Sequence, residues 1–262
     1  MNEDRVSFSR PAGLCGVELV SVCYRNRAFP MHMHAEYVVG VVTAGAEELE
    51  ARGARHVVAA GDVLQLHPGE VHANRVIGDG ALSYRVFYVA ADTVAHWADG
   101  GLPAFARPVV HAHRHAGLLA DCHAVLSRSD AGPLAQETAL LSVVRAMAFD
   151  AAPARGALGA GQAIGRVRDY IDAHFADGFG LSTLSEVGGL SVYHLARSFK
   201  AAVGLSPLAY RNLRRIHEAR RRLLAGEDIA GIACDLGFAD QSHLTRQFQK
   251  LIGVSPAAYR QQ

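Results

Sequence analysis

The sequence has no apolar run that approaches the ~20 residues needed to cross a bilayer, and it therefore predicts no membrane-spanning helix. Residues 1–11 carry four charged side chains where a secretory signal would have its apolar core. The four cysteines are scattered and form no C-x-x-C pair. These absences argue against a membrane protein, a disulfide framework and a cysteine-based zinc site, and they predict a cytoplasmic protein.

Neither sign of charge dominates, because 26 Lys and Arg face 25 Asp and Glu. The distribution is uneven: from residue 160 onward 13 basic residues stand against 9 acidic ones, and the preceding residues hold 13 and 16. A basic excess in one half is a weak indication of a nucleic-acid partner. The sequence also lacks a Ser/His/Asp set, paired carboxylates and a phosphate-binding glycine loop, so it shows no familiar catalytic motif.

The chain of 262 residues has room for about two domains. Residues 151–161 are almost all Ala, Gly and Pro without periodicity, which is typical of an interdomain linker. We therefore predict an N-terminal domain over residues 12–150 and a C-terminal domain over residues 162–262.

The N-terminal half shows short apolar or alternating runs separated by Gly and Pro, as in a small antiparallel barrel or sandwich. The predicted strands are 17–24, 37–43, 55–59, 63–66, 71–76 and 82–89. Residues 113–149 then change to helical periodicity, interrupted at 129–133. This pattern predicts a helical hairpin, with Leu118 and Leu134 in its apolar stripes, that either caps the barrel or forms a dimer interface.

The C-terminal half contains one sequence unit twice, 49 residues apart. The first copy runs His-Leu-Ala-Arg-Ser-Phe-Lys from His194, and the second runs His-Leu-Thr-Arg-Gln-Phe-Gln from His243. Each is followed at the same distance by Gly-x-Ser-Pro. A fixed period indicates one supersecondary unit used twice. Each copy reads as a short helix, a glycine turn and a second helix capped by Ser191 or Asp240, which is the helix-turn-helix plan.

A helical wheel places Leu and Phe of each second helix inside and leaves an outer face that is short of acids. Side chains there can donate hydrogen bonds to base edges or phosphates, and both copies have an Arg at the same outward position. The predicted DNA-contacting residues are Tyr193, His194, Arg197, Lys200, Gln241, Ser242, His243 and Arg246.

A long helix is predicted between the copies, over residues 206–225. It would span ~30 Å, close to one turn of B-DNA, and could hold two recognition helices in successive major grooves. Five arginines on it either contact phosphates or keep it soluble: Arg214, Arg215, Arg220, Arg221 and Arg222.

Residues 229–260 resemble, almost position by position, the signature of the arabinose-operon regulator (AraC/XylS) family of bacterial transcription factors. The resemblance implies a seven-helix DNA-binding domain that reads two adjacent major-groove segments. The base-reading positions it implies are Tyr193, Ala196, Arg197, Gln241, Ser242, His243 and Arg246. A polar residue is common at the position of Ala196, so the first copy is expected to read fewer bases. The N-terminal half is more loosely similar to the cupin-type effector domain of the same family, which implies dimerisation and activation by a small molecule.

The barrel contains a group of candidate ligand-binding residues. Strand alternation would place His32, His34 and Glu36 on one face, and His72 lies in a segment that resembles the second cupin motif. We predict that these four residues line an effector pocket. Two alternatives stay open: His32, His34 and His72 hold a divalent metal, or the histidines are structural. Tyrosines that could complete the pocket are Tyr24, Tyr37, Tyr84 and Tyr88.

The sequence as a whole predicts a two-domain α+β protein. Its parts are a cupin-like antiparallel β-barrel with a helical hairpin and an all-α seven-helix domain with two helix-turn-helix motifs. The predicted function is a cytoplasmic transcriptional regulator, more specifically an activator, with no catalytic residues and no expected cofactor. Its predicted partners are promoter DNA, a small-molecule effector, RNA polymerase and a second copy of itself, with no membrane partner. The alternatives are a metal-dependent cupin enzyme with a DNA-binding tail and an effector-independent architectural protein.

Overall fold

A computed structural model describes residues 4–98, 102–147 and 161–261. The chain divides into two compact units, Met1–Arg155 and Gly156–Gln262. Most of the predicted linker, residues 151–160, lies outside the described residues. Among the helices that the structure describes, none combines the length and the apolar character that a bilayer crossing requires.

The first unit is built on two antiparallel sheets. One has six strands in the order β1-β2-β9-β4-β7-β10, and the other has four in the order β3-β8-β5-β6. Side chains from both sheets share one buried cluster, which includes Val20, Leu64, Leu49 and Val58. The strands are β1 Arg5–Ser9, β2 Val17–Tyr24, β3 Ala28–His32, β4 Tyr37–Ala44, β5 Ala46–Ala51, β6 Ala54–Ala59, β7 Val63–Leu66, β8 His72–Ile77, β9 Leu82–Val89 and β10 Val109–Val110.

The described residues of this unit also form three helices: α1 Ala91–Trp97, α2 His113–Leu126 and α3 Pro133–Met147. The helical hairpin is confirmed, and its buried residues form a second cluster with the outer face of the six-stranded sheet. Two leucines of the predicted apolar stripes do not pack on the sheet, because Leu118 is 44% exposed and Leu134 is 78% exposed. The hairpin turns Leu119 and Leu140 toward the sheet instead, and this rotation leaves an apolar outer edge.

The second unit contains seven helices among the described residues, as predicted. They are α4 Gln162–His174, α5 Leu181–Gly188, α6 Val192–Val203, α7 Pro207–Leu224, α8 Ile229–Asp235, α9 Gln241–Ile252 and α10 Pro256–Arg260. Both predicted N-caps are confirmed: Ser191 accepts the backbone N–H of His194, and Asp240 accepts that of His243. Gly204 and Gly253 end α6 and α9 with positive φ, so the two copies begin and end alike.

The arginines of α7 are engaged within the protein. Arg215 is buried and donates to the carbonyl oxygens of Phe175, Ala176, Asp177 and Gly237. Arg220 is buried against the ring of Tyr259. The two roles predicted for these arginines, phosphate contact and solubility, therefore do not apply to Arg215 and Arg220. The other three of the five predicted arginines form salt bridges: Arg214 with Asp172, Arg221 with Glu218, and Arg222 with both Glu227 and Asp235.

The barrel interior contains a buried carboxyl group. Glu47 of β5 is 1% exposed and accepts a hydrogen bond of 2.8 Å from the side-chain amide of Asn74. Burial raises the pKa of Glu47 from 4.5 to about 7, although the hydrogen bond from Asn74 opposes the shift. The folded protein therefore holds this proton more tightly than the unfolded chain does.

We expect Arg215→Ala to lower the stability of the second unit by at least about 3 kcal/mol, because several buried carbonyl groups lose a charged donor. Arg221→Ala is the matched control, since Arg221 lies on the same helix and pairs at the surface with Glu218. Thermal unfolding followed by circular dichroism measures both. An Arg215→Ala protein that melts with the wild type would show that the guanidinium is dispensable.

We expect Glu47→Gln to flatten the pH dependence of stability. A carboxyl whose pKa is raised in the folded state contributes stability that is complete below pH ~4.5 and is lost as the pH rises through ~7. Between pH 5 and pH 8 the wild type should lose roughly 2 to 3 kcal/mol more than the variant in urea unfolding. Glu50→Gln, at a partly exposed site of the same strand, is the control. Parallel losses in wild type and Glu47→Gln would contradict this assignment.

Candidate DNA-binding surface and ligand site

Helix α6 presents one apolar and one polar face. Leu195 and Phe199 are fully buried, which fixes the rotation of the helix. The predicted contact residues of this copy lie on the opposite side, where Tyr193 is 76% exposed. The other three are exposed as well: His194, Arg197 and Lys200.

Helix α9 repeats this arrangement. Leu244 and Phe248 are fully buried, and three of the four predicted contact residues are exposed: Gln241, Ser242 and Arg246. The fourth, His243, is half-buried, with its ring against Phe238 at a centroid distance of 5.5 Å. Its Nδ1 accepts the backbone N–H of Ala239 at 3.4 Å, so a neutral ring carries its proton on Nε2 as a donor.

Arg197 and Arg246 differ from the arginines of α7. Each is exposed, and within the described part of the chain neither guanidinium has a hydrogen-bond or salt-bridge partner. The two arginines occupy the same position in the two copies. This surface therefore presents two guanidinium groups at equivalent positions, and both are available to a ligand outside the chain.

The first unit brings three predicted residues together inside the barrel. His32 ends β3, His34 follows in the loop, and His72 begins β8 directly opposite His32. One potential ligand atom from each histidine lies within 4.8 Å of the other two. The ring centroids of His32 and His72 are 4.2 Å apart. His34 also contacts the ring of Tyr88 at 4.8 Å.

The predicted strand alternation through Glu36 is wrong. Strand β3 ends at His32 after a register shift that begins at Phe29, and the chain turns before β4 starts at Tyr37. The loop places His34 in the cluster, whereas Glu36 is not among the three residues that group there. Tyr37 points elsewhere, because its hydroxyl donates to Pro103 and its ring belongs to the core beneath the hairpin.

Backbone carbonyl groups orient two of the histidine rings. Nδ1 of His32 lies 2.8 Å from the carbonyl oxygen of Pro30, and Nδ1 of His72 lies 3.0 Å from that of Glu70. A carbonyl oxygen only accepts, so both Nδ1 atoms carry the proton. Burial lowers the pKa of His72, which favours the neutral ring. In a neutral ring with Nδ1–H, the lone pair resides on Nε2.

Glu70 also belongs to a polar cluster that sequence reasoning missed. Its carboxylate accepts two hydrogen bonds from Arg52, at 2.7 and 3.1 Å, and one of 2.8 Å from Nδ1 of His67. Burial opposes ionisation, yet these hydrogen bonds lower the pKa of Glu70 to about 2. Arg52 donates further to the carbonyl groups of Phe105 and Ala106, just before β10 and α2. No spacing in the sequence joins Arg52 to residues more than 50 positions away.

Helices α2 and α3 border an open groove of about 680 Å³. Its lining is mainly apolar and includes Val125, Pro133, Leu134 and Ala139. Leu134 is 78% exposed there. The outer edge of the hairpin is therefore an apolar surface within the first unit.

Comparisons with known proteins agree on both units. The model of the AraC-like ligand-binding domain matches residues 14–144, and that of a helix-turn-helix domain matches residues 184–262. An uncharacterized HTH-type transcriptional regulator of Bacillus subtilis, YbfI, is 28% identical over 222 residues, which cover 82% of this chain and 80% of the relative.

Solved structures of ToxT from Vibrio cholerae share the fold. ToxT of strain O395 is 12% identical, with a TM-score of 0.60, 94% of this chain covered and 97% of ToxT covered. ToxT of strain SCE256 bound to an unsaturated fatty acid is 15% identical, with a TM-score of 0.57 and coverages of 99% and 97%. The predicted fold class is thereby confirmed. Because the ligand-binding model matches half of the chain and the helix-turn-helix model matches most of the second unit, the chain belongs to the AraC family of transcriptional regulators, with a ligand-binding domain and a helix-turn-helix DNA-binding domain.

Proposed function

We propose that this regulator reads promoter DNA with α6 and α9 and that a small molecule in the barrel controls this binding, most simply toward activation. The observation that carries the proposal is the pair of exposed arginines, Arg197 and Arg246, at equivalent positions of the two copies. Helix α7 has 18 residues and is about 27 Å long, which is comparable with one turn of B-DNA. Two successive major grooves are therefore the natural targets of α6 and α9.

Each contact residue has a role that follows from its chemistry. Arg197 and Arg246 suit bidentate pairing with guanine, and Gln241 suits adenine. Lys200, Ser242 and the Nε2–H of His243 suit phosphates or base edges. Tyr193 and His194 flank the first reading face. Ala196 offers only a methyl contact, so the first copy reads fewer bases than the second.

We place the effector site at His32, His34 and His72, with Tyr88 beside them. Glu36, which the sequence also indicated, follows His34 in the same loop. Support comes from the convergence of polar rings from β3, its following loop and β8 inside an apolar barrel. We propose a regulatory binding site and not the site of a cupin enzyme, because the same chain carries a helix-turn-helix DNA-binding domain. DNA readout itself requires no cofactor.

We propose that the Glu70 cluster relays ligand binding to the hairpin. Glu70 holds the ring of His72 through its carbonyl oxygen and holds Arg52 through its carboxylate. Arg52 in turn holds Phe105 and Ala106, which precede the hairpin. A shift of His72 is thus transmitted through hydrogen bonds to the segment that leads into α2.

We propose a homodimer that forms through the groove between α2 and α3. Support comes from its apolar lining and from the exposure of Leu134.

The domains that perform these tasks are residues 12–150 and 162–262, joined by a linker at 151–161. Such a protein works beside the chromosome in the cytoplasm, and as an activator it contacts RNA polymerase; the proposal includes no membrane partner.

We expect Arg197→Ala and Arg246→Ala each to weaken specific DNA binding by roughly 1–3 kcal/mol and to relax base preference in one half of the site. Footprinting on the DNA upstream of its own and neighbouring genes, with and without pooled metabolites, locates the site. Titration of that site with each variant then gives the affinities.

Arg145→Ala is the matched control, because Arg145 is an exposed arginine of α3 in the first unit. It should bind like the wild type. Unchanged affinity in both Arg197→Ala and Arg246→Ala would rule out the docking model. A footprint that no metabolite pool alters would favour the effector-independent architectural protein.

We expect Leu134→Glu to convert the dimer to a monomer, because the substitution places a charge in the apolar groove. Val57→Glu is the control, since Val57 is 57% exposed on β6, away from the hairpin. Sedimentation velocity measures the mass of each variant. A dimer that persists in Leu134→Glu would locate the interface elsewhere.

A further inference from the structure

We infer that His32, His34 and His72 form a binding site for one divalent transition-metal ion. The inference rests on the proposal that this cluster is the ligand site of the barrel, and it names the class of ligand. The three side chains come from a strand end, a loop and the start of a second strand. They converge at one point although β3 and β8 are forty residues apart in sequence.

The distances suit a metal ion better than a larger molecule. One ring nitrogen from each histidine lies within 4.8 Å of the other two. Three nitrogens at 2.0–2.1 Å from a tetrahedral ion are about 3.4 Å apart, so closing the site requires each nitrogen to move by at most about 1 Å. Side-chain rotation supplies such a movement without any change in the strands.

The hydrogen bonds around the cluster prepare two rings for metal binding. In proteins, a histidine that binds a metal through one nitrogen usually donates the other ring N–H to a carbonyl or carboxylate. Nδ1 of His32 and Nδ1 of His72 already donate to the carbonyl oxygens of Pro30 and Glu70. Nε2 of each ring is therefore the atom that coordinates.

Burial favours the neutral form of the histidine rings in the metal-free site. His32 is 6% exposed and His72 is 4% exposed, in surroundings that disfavour two adjacent positive charges. Neutral imidazoles bind without releasing protons. They avoid the electrostatic repulsion that adjacent imidazolium groups would have inside the barrel.

The donor set determines which ions fit. Three neutral imidazoles suit Zn, Cu, Ni or Fe, whereas Mg and Ca prefer carboxylate and carbonyl oxygens. Three protein ligands leave a fourth tetrahedral position open for water or for an oxygen donor of an effector. The net charge of a filled site is +2, because no carboxylate is part of the group.

Metal binding by the purified full-length protein tests this inference directly. The protein is stripped with a chelator, dialysed against zinc chloride and analysed for metal. Cobalt(II) is added separately, because the intensity of its visible absorption distinguishes tetrahedral from octahedral coordination. The variants are His34→Ala and His72→Gln, and His96→Ala is the control because His96 is exposed and outside the cluster.

We expect one zinc per chain and a tetrahedral cobalt spectrum in wild type and His96→Ala. Both should be lost in His34→Ala and in His72→Gln. Zinc should raise the melting temperature of the wild type and of His96→Ala but not that of the two variants. Far-UV circular dichroism of His34→Ala verifies that it is folded, since His34 is only partly buried.

Less than one tenth of an equivalent of zinc in the wild type would overturn the inference. Equal zinc in wild type and in folded His34→Ala would overturn it as well. Footprinting separates the two proposals: stoichiometric zinc without any DNA protection would reject the regulatory proposal and keep the metal site. Ligand-dependent DNA protection by a protein that binds no zinc would keep the regulatory proposal and reject the metal site.

Discussion

The buried guanidinium of Arg215 is the interaction on which the DNA-binding domain depends. It lies on α7 and donates to backbone carbonyl groups at the end of α4 and in the turn between α8 and α9. Those carbonyl groups would otherwise be left without partners at helix ends. One side chain thus ties the end of α4, the connecting helix α7 and the turn of the second copy together. The spacing of α6 and α9 is a property of this junction as well as of the length of α7.

The C-terminal unit could be predicted within one or two residues because its determinants are local. The helices from α6 to α10 each begin after a Ser or Asp whose side chain caps the helix, such as Ser206 or Asp228, and α6 and α9 end at a glycine with positive φ. Because the unit occurs twice, the ends of each helix in one copy can be checked against the equivalent helix of the other. The local sequence pattern does not, however, show which residues a side chain contacts in the folded protein. Exposed and buried arginines look alike in sequence, so the burial of Arg215 and Arg220 appeared only in the structure.

The N-terminal unit was harder to predict because pairing between distant segments determines it. Strand β5 reads Ala-Glu-Glu-Leu-Glu-Ala, a composition that favours a helix, yet it lies between β6 and β8. Strand β3 contains a proline and a register shift, and both obscure its alternation. The three histidines were nevertheless identified from their motif. What sequence could not provide was the loop that carries His34 inward, or the contact of Arg52 with residues 105 and 106.

The two reading helices begin with different capping residues. Ser191 is neutral, whereas Asp240 places a carboxylate at the positive end of the α9 dipole. In the proposed complex, a phosphate near the start of α6 meets an uncompensated helix end, and a phosphate near the start of α9 meets a negative charge. The first copy is thereby suited to grip the sugar–phosphate backbone and the second to approach the bases. In the proposed complex the two copies of one unit therefore differ in role: α6 contributes more to backbone affinity and α9 contributes more to base specificity.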